Sequence, residues 1–532
     1  MNKFSKIIIA FAAIFAIHSC TDLEEDLVGD VTTDIAVPGI DPGGSATGGV
    51  LSGAYAELRN AGTANHGGYY SIQELPSDEM VICAKGGDWF DGGILIELHQ
   101  HTYGATHDFI NGTWTQTYGA INTVNELLAG DLDDNSKAQA RALRAYFYWR
   151  LLDLYGNVKL ITSPGTDVPQ STRTEVFDFV ESELLGALGI SEVSGAMDLS
   201  NSPLTTDVNA YQINQYGALG ILAKLYLNAE VYSGTARWSE AADAASFVID
   251  SGVYQLCGDG CSVQNLGKRS GVASDPETLE GYAAVFAPNN EGNPEHIFTV
   301  NYDEASGANM NFVQMNLHYS SQFTWNLDQQ PWNGYATLEE FYNSYEDGDL
   351  RKTASFIVGE QLDFGGSQIL DFAADDESVV LNYTPFINEL QPNSQREAGA
   401  RPVKFSFKQF NRSDQDNDYT IVRLGDLYLI RGEALARTSG VWNDALADVN
   451  TIRARAKVDA MTSIDAAGFL AERGREMFQE ASRRTDLIRF GAYNDAWWEK
   501  PASAPHTTIF PIPQAQIDAS VAGFALTQND GY

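Results

Sequence analysis

A motif written twice narrows the fold of this chain more than any other feature. In "YGALGILAKLYLNAEVYSGTARWSEAADAASFVIDSG" and again in "VRLGDLYLIRGEALARTSGVWNDALADVNTIRARA", a small-residue-rich segment carries Tyr226 or Tyr428 and runs into a Ser-Gly break. Trp238-Ser-Glu-Ala241 or Trp442-Asn-Asp-Ala445 then opens a second segment. Apolar residues recur at three- and four-residue spacings on both sides of the break, which predicts two helices packed as a hairpin. Alanines let the paired helices approach closely, and the Trp and Tyr rings fill the gaps. Upstream, "TWTQTYGAINTVNELLAG" and "KAQARALRAYFYWRLLDLYG" have the same periodicity and end in Gly, the common helix stop, so they predict a further hairpin.

Such units are similar to tetratricopeptide repeats, in which each hairpin buries its apolar face against the next. The expected fold is therefore mainly α: helical hairpins over about residues 111–254 and 419–490, with long loop-rich excursions carrying short strands. The largest excursion, about 255–418, is rich in Asn, Gly, Gln and aromatics, and "HIFTVNY" within it alternates as a strand does. Long excursions from a rigid scaffold tend to carry function. Residues 21–110 read as a loop-rich stretch, dense in Gly and aromatics, that is not part of the repeat.

The N-terminus reads differently from the rest. Lys3 and Lys6 precede an apolar run from Ile7 to Ile17, too short for the roughly 20 residues of a membrane-spanning helix. This is the pattern of an export signal, residues 1–19. "AIHSC" is similar to a bacterial lipobox, although His18 and Ser19 stand where small residues are usual, and it makes Cys20 the expected lipidated residue and membrane anchor. Residues 20–49, acidic and then Gly- and Pro-rich in "DPGGSATGG", read as a flexible tether. The formal charge of −38 argues against nucleic acid as a partner.

Of the remaining cysteines, Cys257 and Cys261 flank a Gly-Asp-Gly turn and are expected to form a disulfide, as an exported chain allows, with Cys83 a buried free thiol.

A series of motifs carries a family resemblance. "ARALRAYFYWRLLDLYGNVKL", "DGDLRK", "YTIVRLGDLYLIRGEAL", "IRARA", "ERGREMFQEASRRTDLIRFG", "IFPIPQAQIDAS" and "LTQNDGY" resemble, in that order, the motifs of the SusD/RagB family. The resemblance runs from about residue 50 to Tyr532, departing at Lys159 and Asp530, and implies one SusD-like domain over 50–532. It also implies a lipid-anchored protein at the surface of the outer membrane, capturing oligo- or polysaccharide for a SusC-like TonB-dependent transporter. Alternatives are a peptide-capturing protein of the RagB branch and a secreted glycan-cleaving enzyme.

Residue by residue, no catalytic, metal or cofactor set stands out. With 71 acidic residues, carboxylate pairs prove little. Glu472, Glu476 and Glu480 share a helix face but lie among Arg473, Arg475, Arg483 and Arg484. Arginines lower carboxyl pKa values, the opposite of what a general acid needs, so this set reads as structural. His99 and His101, placed on one side of a strand by alternation, with His107 and Asp108, are weighed as zinc ligands against core or loop histidines. Asp414, Asp416 and Asp418 are weighed as calcium ligands but lack the Gly and distal Glu of an EF-hand loop, so a solvated acidic loop is preferred. The candidate glycan-binding residues are aromatics in polar loops: Trp89 and Phe90 with Asp88 in "GGDWFDGG", and Trp325 and Trp332 in the excursion. Aromatic planes fit the CH faces of sugar rings, and neighbouring carboxylates and amides fit the hydroxyls.

Overall fold

The computed structural model describes residues 49–265, 277–303, 310–374 and 378–532. The export signal, Cys20 and nearly all of the expected tether lie outside the described residues.

The doubled motif forms the hairpins it predicts. In the first, α1 (Gln215–Leu227) ends at Asn228, a five-residue turn of helix follows, and α2 (Trp238–Asp250) starts on the tryptophan. In the second, α3 (Leu424–Ser439) ends at Gly440 in the left-handed conformation, Trp442–Ala445 makes one 3-10 turn, and α4 (Leu446–Arg455) follows. α2 packs on both α1 and α3, so the two units are neighbours in space although distant in sequence. The Arg437 guanidinium lies 5.8 Å from the Trp238 ring and 5.6 Å from the Trp442 ring, tying together the two residues that open the second helices. Further upstream, helices Asp108–Leu128, Asp134–Tyr155 and Arg173–Leu188 pack in sequence. Asp133 caps the second, and Thr172 with Glu175 forms a capping box on the third.

The excursion returns to this scaffold through β-pairing. His296–Val300 pairs antiparallel with Tyr419–Arg423, directly before α3. Gly220 of α1 faces that strand so closely that an added Cβ would sit 2.3 Å from Val422 Cγ1, which explains a glycine inside a buried helix. The N-terminal stretch joins in as well, because Met80–Ile82 pairs with Tyr335–Thr337 of the excursion. That stretch is more helical than its composition predicts, with Ser52–Asn60, Tyr69–Glu74 and Ile94–Gln100 all helical.

Beneath the excursion lies a buried ionic cluster. Glu476 accepts from Arg423 at 2.8 Å and from Arg455, and Arg423 also reaches Glu295 and Glu480. Glu472 is held by Arg453 and Arg475, and Lys404 reaches Glu480 and two backbone carbonyls. The three glutamates are thus ion-paired and hydrogen-bonded between elements, as a structural reading implies, but of the four neighbouring arginines only Arg475 pairs with one of them; Arg473, Arg483 and Arg484 reach Asp486, Asp78 and Asp153 instead. Burial alone would raise the Glu476 carboxyl, but Arg455, Arg423 and Arg351 hold it at about 2.

Candidate functional site

The segment "GGDWFDGG" has an unusual backbone. Lys85 and Asp88 close a tight turn, each donating its N–H to the other's carbonyl at 2.8 and 3.2 Å. Gly86, Trp89, Asp91, Gly92 and Gly93 all have positive φ. For Trp89 and Asp91 that conformation costs on the order of 1–3 kcal/mol each and has to be over-determined by the surroundings. At Trp89 the surroundings are visible: its indole N–H donates to the Trp332 carbonyl at 2.5 Å, and His66 meets it edge-on at 5.3 Å. Its six-membered ring lies over Gly334, where a Cβ would come within 2.7 Å of Cζ2. Glycine is required there so that the ring can lie down.

Asp88 is exposed, and its Oδ2 accepts from the Tyr319 hydroxyl at 2.7 Å. Burial and this carboxylate both push the Tyr319 phenol up, so it stays a donor. Together Asp88, Trp89, Asp91, Tyr319, Gln330 and Trp332 border an open cleft of about 560 Å³, with His66 at its base. Burial lowers His66 to about 4, so it is neutral at physiological pH. Trp332 is 41% exposed and Phe90 46% exposed. The cleft therefore combines aromatic surface with an oriented carboxylate, a phenol and an amide.

The structure brings Asp88, Trp89 and Trp332 to one place, with Phe90 next to them in sequence, but it does not bring Trp325 there. Trp325 is fully buried at the end of a short helix, Gln322–Trp325, with its ring edge against Phe407. It presents no face to a ligand, so its assignment as a sugar platform is corrected to core packing. Phe323, two residues earlier, is 54% exposed instead. Tyr319 and His66 were not predicted from sequence, since neither stands in a pattern that distinguishes it from a core aromatic.

Two other sequence candidates resolve into ordinary structure. His99 lies on a helix rather than a strand, and its Nε2 pairs with the Trp498 carbonyl. His101 sits between the Pro76 carbonyl and Ser503 and stacks on Tyr493, while His107 pairs with the Ile94 carbonyl. The acidic loop is not fully solvated: Asp418 is buried and accepts from Tyr211 at 2.7 Å, and Asp416 pairs with Lys408. Among the described residues, no group of three or more His, Cys, Asp or Glu is arranged to hold a metal ion. Cys257 and Cys261 are bonded, and Cys83 is free and buried.

Comparison with known proteins agrees with this architecture. Residues 294–532 match the SusD family. The starch-binding protein SusD of Bacteroides thetaiotaomicron is 25% identical over 525 residues, spanning 87% of this chain and 85% of the relative. Among solved structures, a laminarin-binding SusD-like protein superposes with a TM-score of 0.66 at 22% identity, over 91% of this chain and 98% of that one. Surface glycan-binding protein A from Bacteroides thetaiotaomicron, in complex with laminarihexaose, gives 0.64 at 18% identity, over 90% of this chain and 98% of that one. The fold is the SusD-like helical fold, and the C-terminal part of the chain, residues 294–532, matches the SusD family.

Proposed function

We propose that this protein is a non-catalytic, cell-surface glycan-binding lipoprotein. It is held to the outer membrane by lipid on Cys20, and it captures oligo- or polysaccharide for delivery to a SusC-like TonB-dependent transporter. The observation that carries the binding role is the Asp88–Trp89–Tyr319–Trp332 cleft: indole surface for the CH face of a sugar, with a carboxylate and an amide beside it for the hydroxyls. The relatives named for starch, laminarin and surface glycans support that reading. No helix among the described residues is long and apolar enough to cross a membrane; the proposed anchor is lipid on Cys20. In this arrangement a tether over residues 20–49 would let the body swing over a transporter.

Electrophoresis of the purified protein through gels containing individual polysaccharides tests the reading. Retardation names a ligand, and shortened chains recovered from the gel would reveal an enzyme. The absence of both across a broad panel would favour the peptide-capturing alternative. Co-purification from native membranes in mild detergent tests the transporter partnership, and recovery of the protein alone would count against it.

A further inference from the structure

We propose that the cleft takes an uncharged glycan and that Asp88 is the residue that turns acidic glycans away, an inference that rests on the glycan reading above. The charged residues among those lining the cleft are Asp88 and Asp91, and no lysine or arginine lines it among the described residues. His66, the other titratable nitrogen there, is held neutral by burial. Recognition of a uronate or sulfate ester uses a cation or a fork of N–H donors, and the lining supplies neither.

The neighbouring cations are occupied or withdrawn. Lys85 is buried and donates its Nζ to the Cys83 carbonyl, and Arg401 donates to the Tyr335 and Arg396 carbonyls. The charge of Arg396 is felt at Tyr319, but its half-buried side chain is not part of the lining.

Asp88 is also oriented. Tyr319 holds Oδ2 and leaves Oδ1 for a second donor. A carboxylate held this way accepts well from a sugar hydroxyl, and it repels an anionic sugar seated on the adjacent indole. The acidity of the whole chain, −38, adds a long-range field of the same sign.

The test uses the full-length protein with laminarin, starch and xyloglucan as neutral probes and alginate and polygalacturonate as acidic ones. At least one neutral polymer is expected to bind, and neither acidic one. Whichever neutral polymer binds is then compared with its own C6-carboxylated form, so that linkage is constant and only charge changes. The carboxylated form should bind at least about tenfold more weakly at low salt, the gap closing as salt screens the pair. Asp88→Asn, which keeps the Tyr319 partner and removes the charge, should narrow that gap at least threefold without lowering the melting temperature. Binding of an acidic polymer that Trp89→Ala abolishes would overturn the charge inference and leave the glycan reading standing. An unchanged gap in Asp88→Asn would overturn the role of Asp88. No binding by any polymer would overturn the glycan reading and this inference with it.

Discussion

The indole N–H of Trp89 donates to the backbone carbonyl of Trp332, 243 positions away in sequence. The bond ties a ring from the N-terminal stretch to the backbone of the excursion at the residue that carries the second indole of the cleft, itself exposed. An indole face half covered by a sugar removes about 100 Å² from water, roughly 2.5 kcal/mol gross at about 25 cal/mol per Å². Trp89→Ala and Trp332→Ala should each weaken glycan binding by at least about tenfold, part of the gross gain being consumed by association costs. Because neither ring is fully buried, the melting temperature should move by no more than a few degrees. Calorimetric titration and thermal melts on the same samples separate loss of a platform from loss of the fold.

Trp325→Ala should do the opposite. Its ring is fully buried against Phe407, and truncating a core tryptophan typically costs about 3–5 kcal/mol of stability. The variant should unfold at markedly lower denaturant. Any folded fraction should bind glycan as the parent does, and a stable variant with lost binding would return Trp325 to the site.

The contrast between Trp325 and Trp332 shows where sequence reasoning stops. The hairpins were legible because burial in a helix repeats with its period, and the doubled Trp-Ala signature marked where second helices begin. The structural role of the glutamates was legible from the arginines around them, but their partners were not: only Arg475 comes from the same motif, and Arg351, Arg423, Arg453 and Arg455 arrive from elsewhere in the chain. In the excursion no period exists: Trp325 is buried against Phe407, far along the chain, while Phe323 faces solvent. Tyr319 becomes part of the site only through Asp88, 231 positions away. The strand placement of His99 and His101 failed for a related reason, since a short alternating run fits a strand and a helix alike, and His99 lies on the helix.

Cys20→Ser should release the protein from the membrane fraction, since acyl chains on that thiol are the proposed anchor. Fractionation of cells lacking the partner transporter is the appropriate check. Membrane association that persists there would show a second anchor.

Glu476→Gln should be strongly destabilising. The carboxylate is fully buried and neutralises Arg423, Arg455 and Arg351 together. Removing one member of a buried ion pair leaves uncompensated charge and costs about 3–5 kcal/mol. The Glu476 pKa is depressed to about 2, so its contribution is present above the unfolded value and is lost as pH falls toward 2. Denaturant unfolding of parent and variant should therefore converge in strong acid and diverge at neutral pH.

Glu74 and Glu79 should impose the opposite slope. Both are buried and close enough for the charge of Glu74 to act on Glu79, and Glu74 accepts from the Ala481 N–H at 2.6 Å. Burial raises Glu74 to about 7, and burial followed by the Glu74 charge raises Glu79 well above the usual carboxylate range. A raised folded-state pKa means that the folded chain binds the extra proton. The stability this supplies is full below the unfolded value of 4.5 and is lost as pH rises through about 7. The buried histidines work against it: His66, His99 and His296 are lowered to about 4 by burial, so their contribution is present above about 6.5 and is lost as pH falls toward 4. The parent's own pH profile therefore mixes two signs, and a difference measurement is needed. Glu79→Gln keeps the shape while removing one titrating group, and leaves every histidine in place. Between about pH 5 and about pH 8 the parent should lose on the order of 1–3 kcal/mol relative to this variant. Unfolding curves that stay parallel over that range would show that the pair is not protonated in the folded protein.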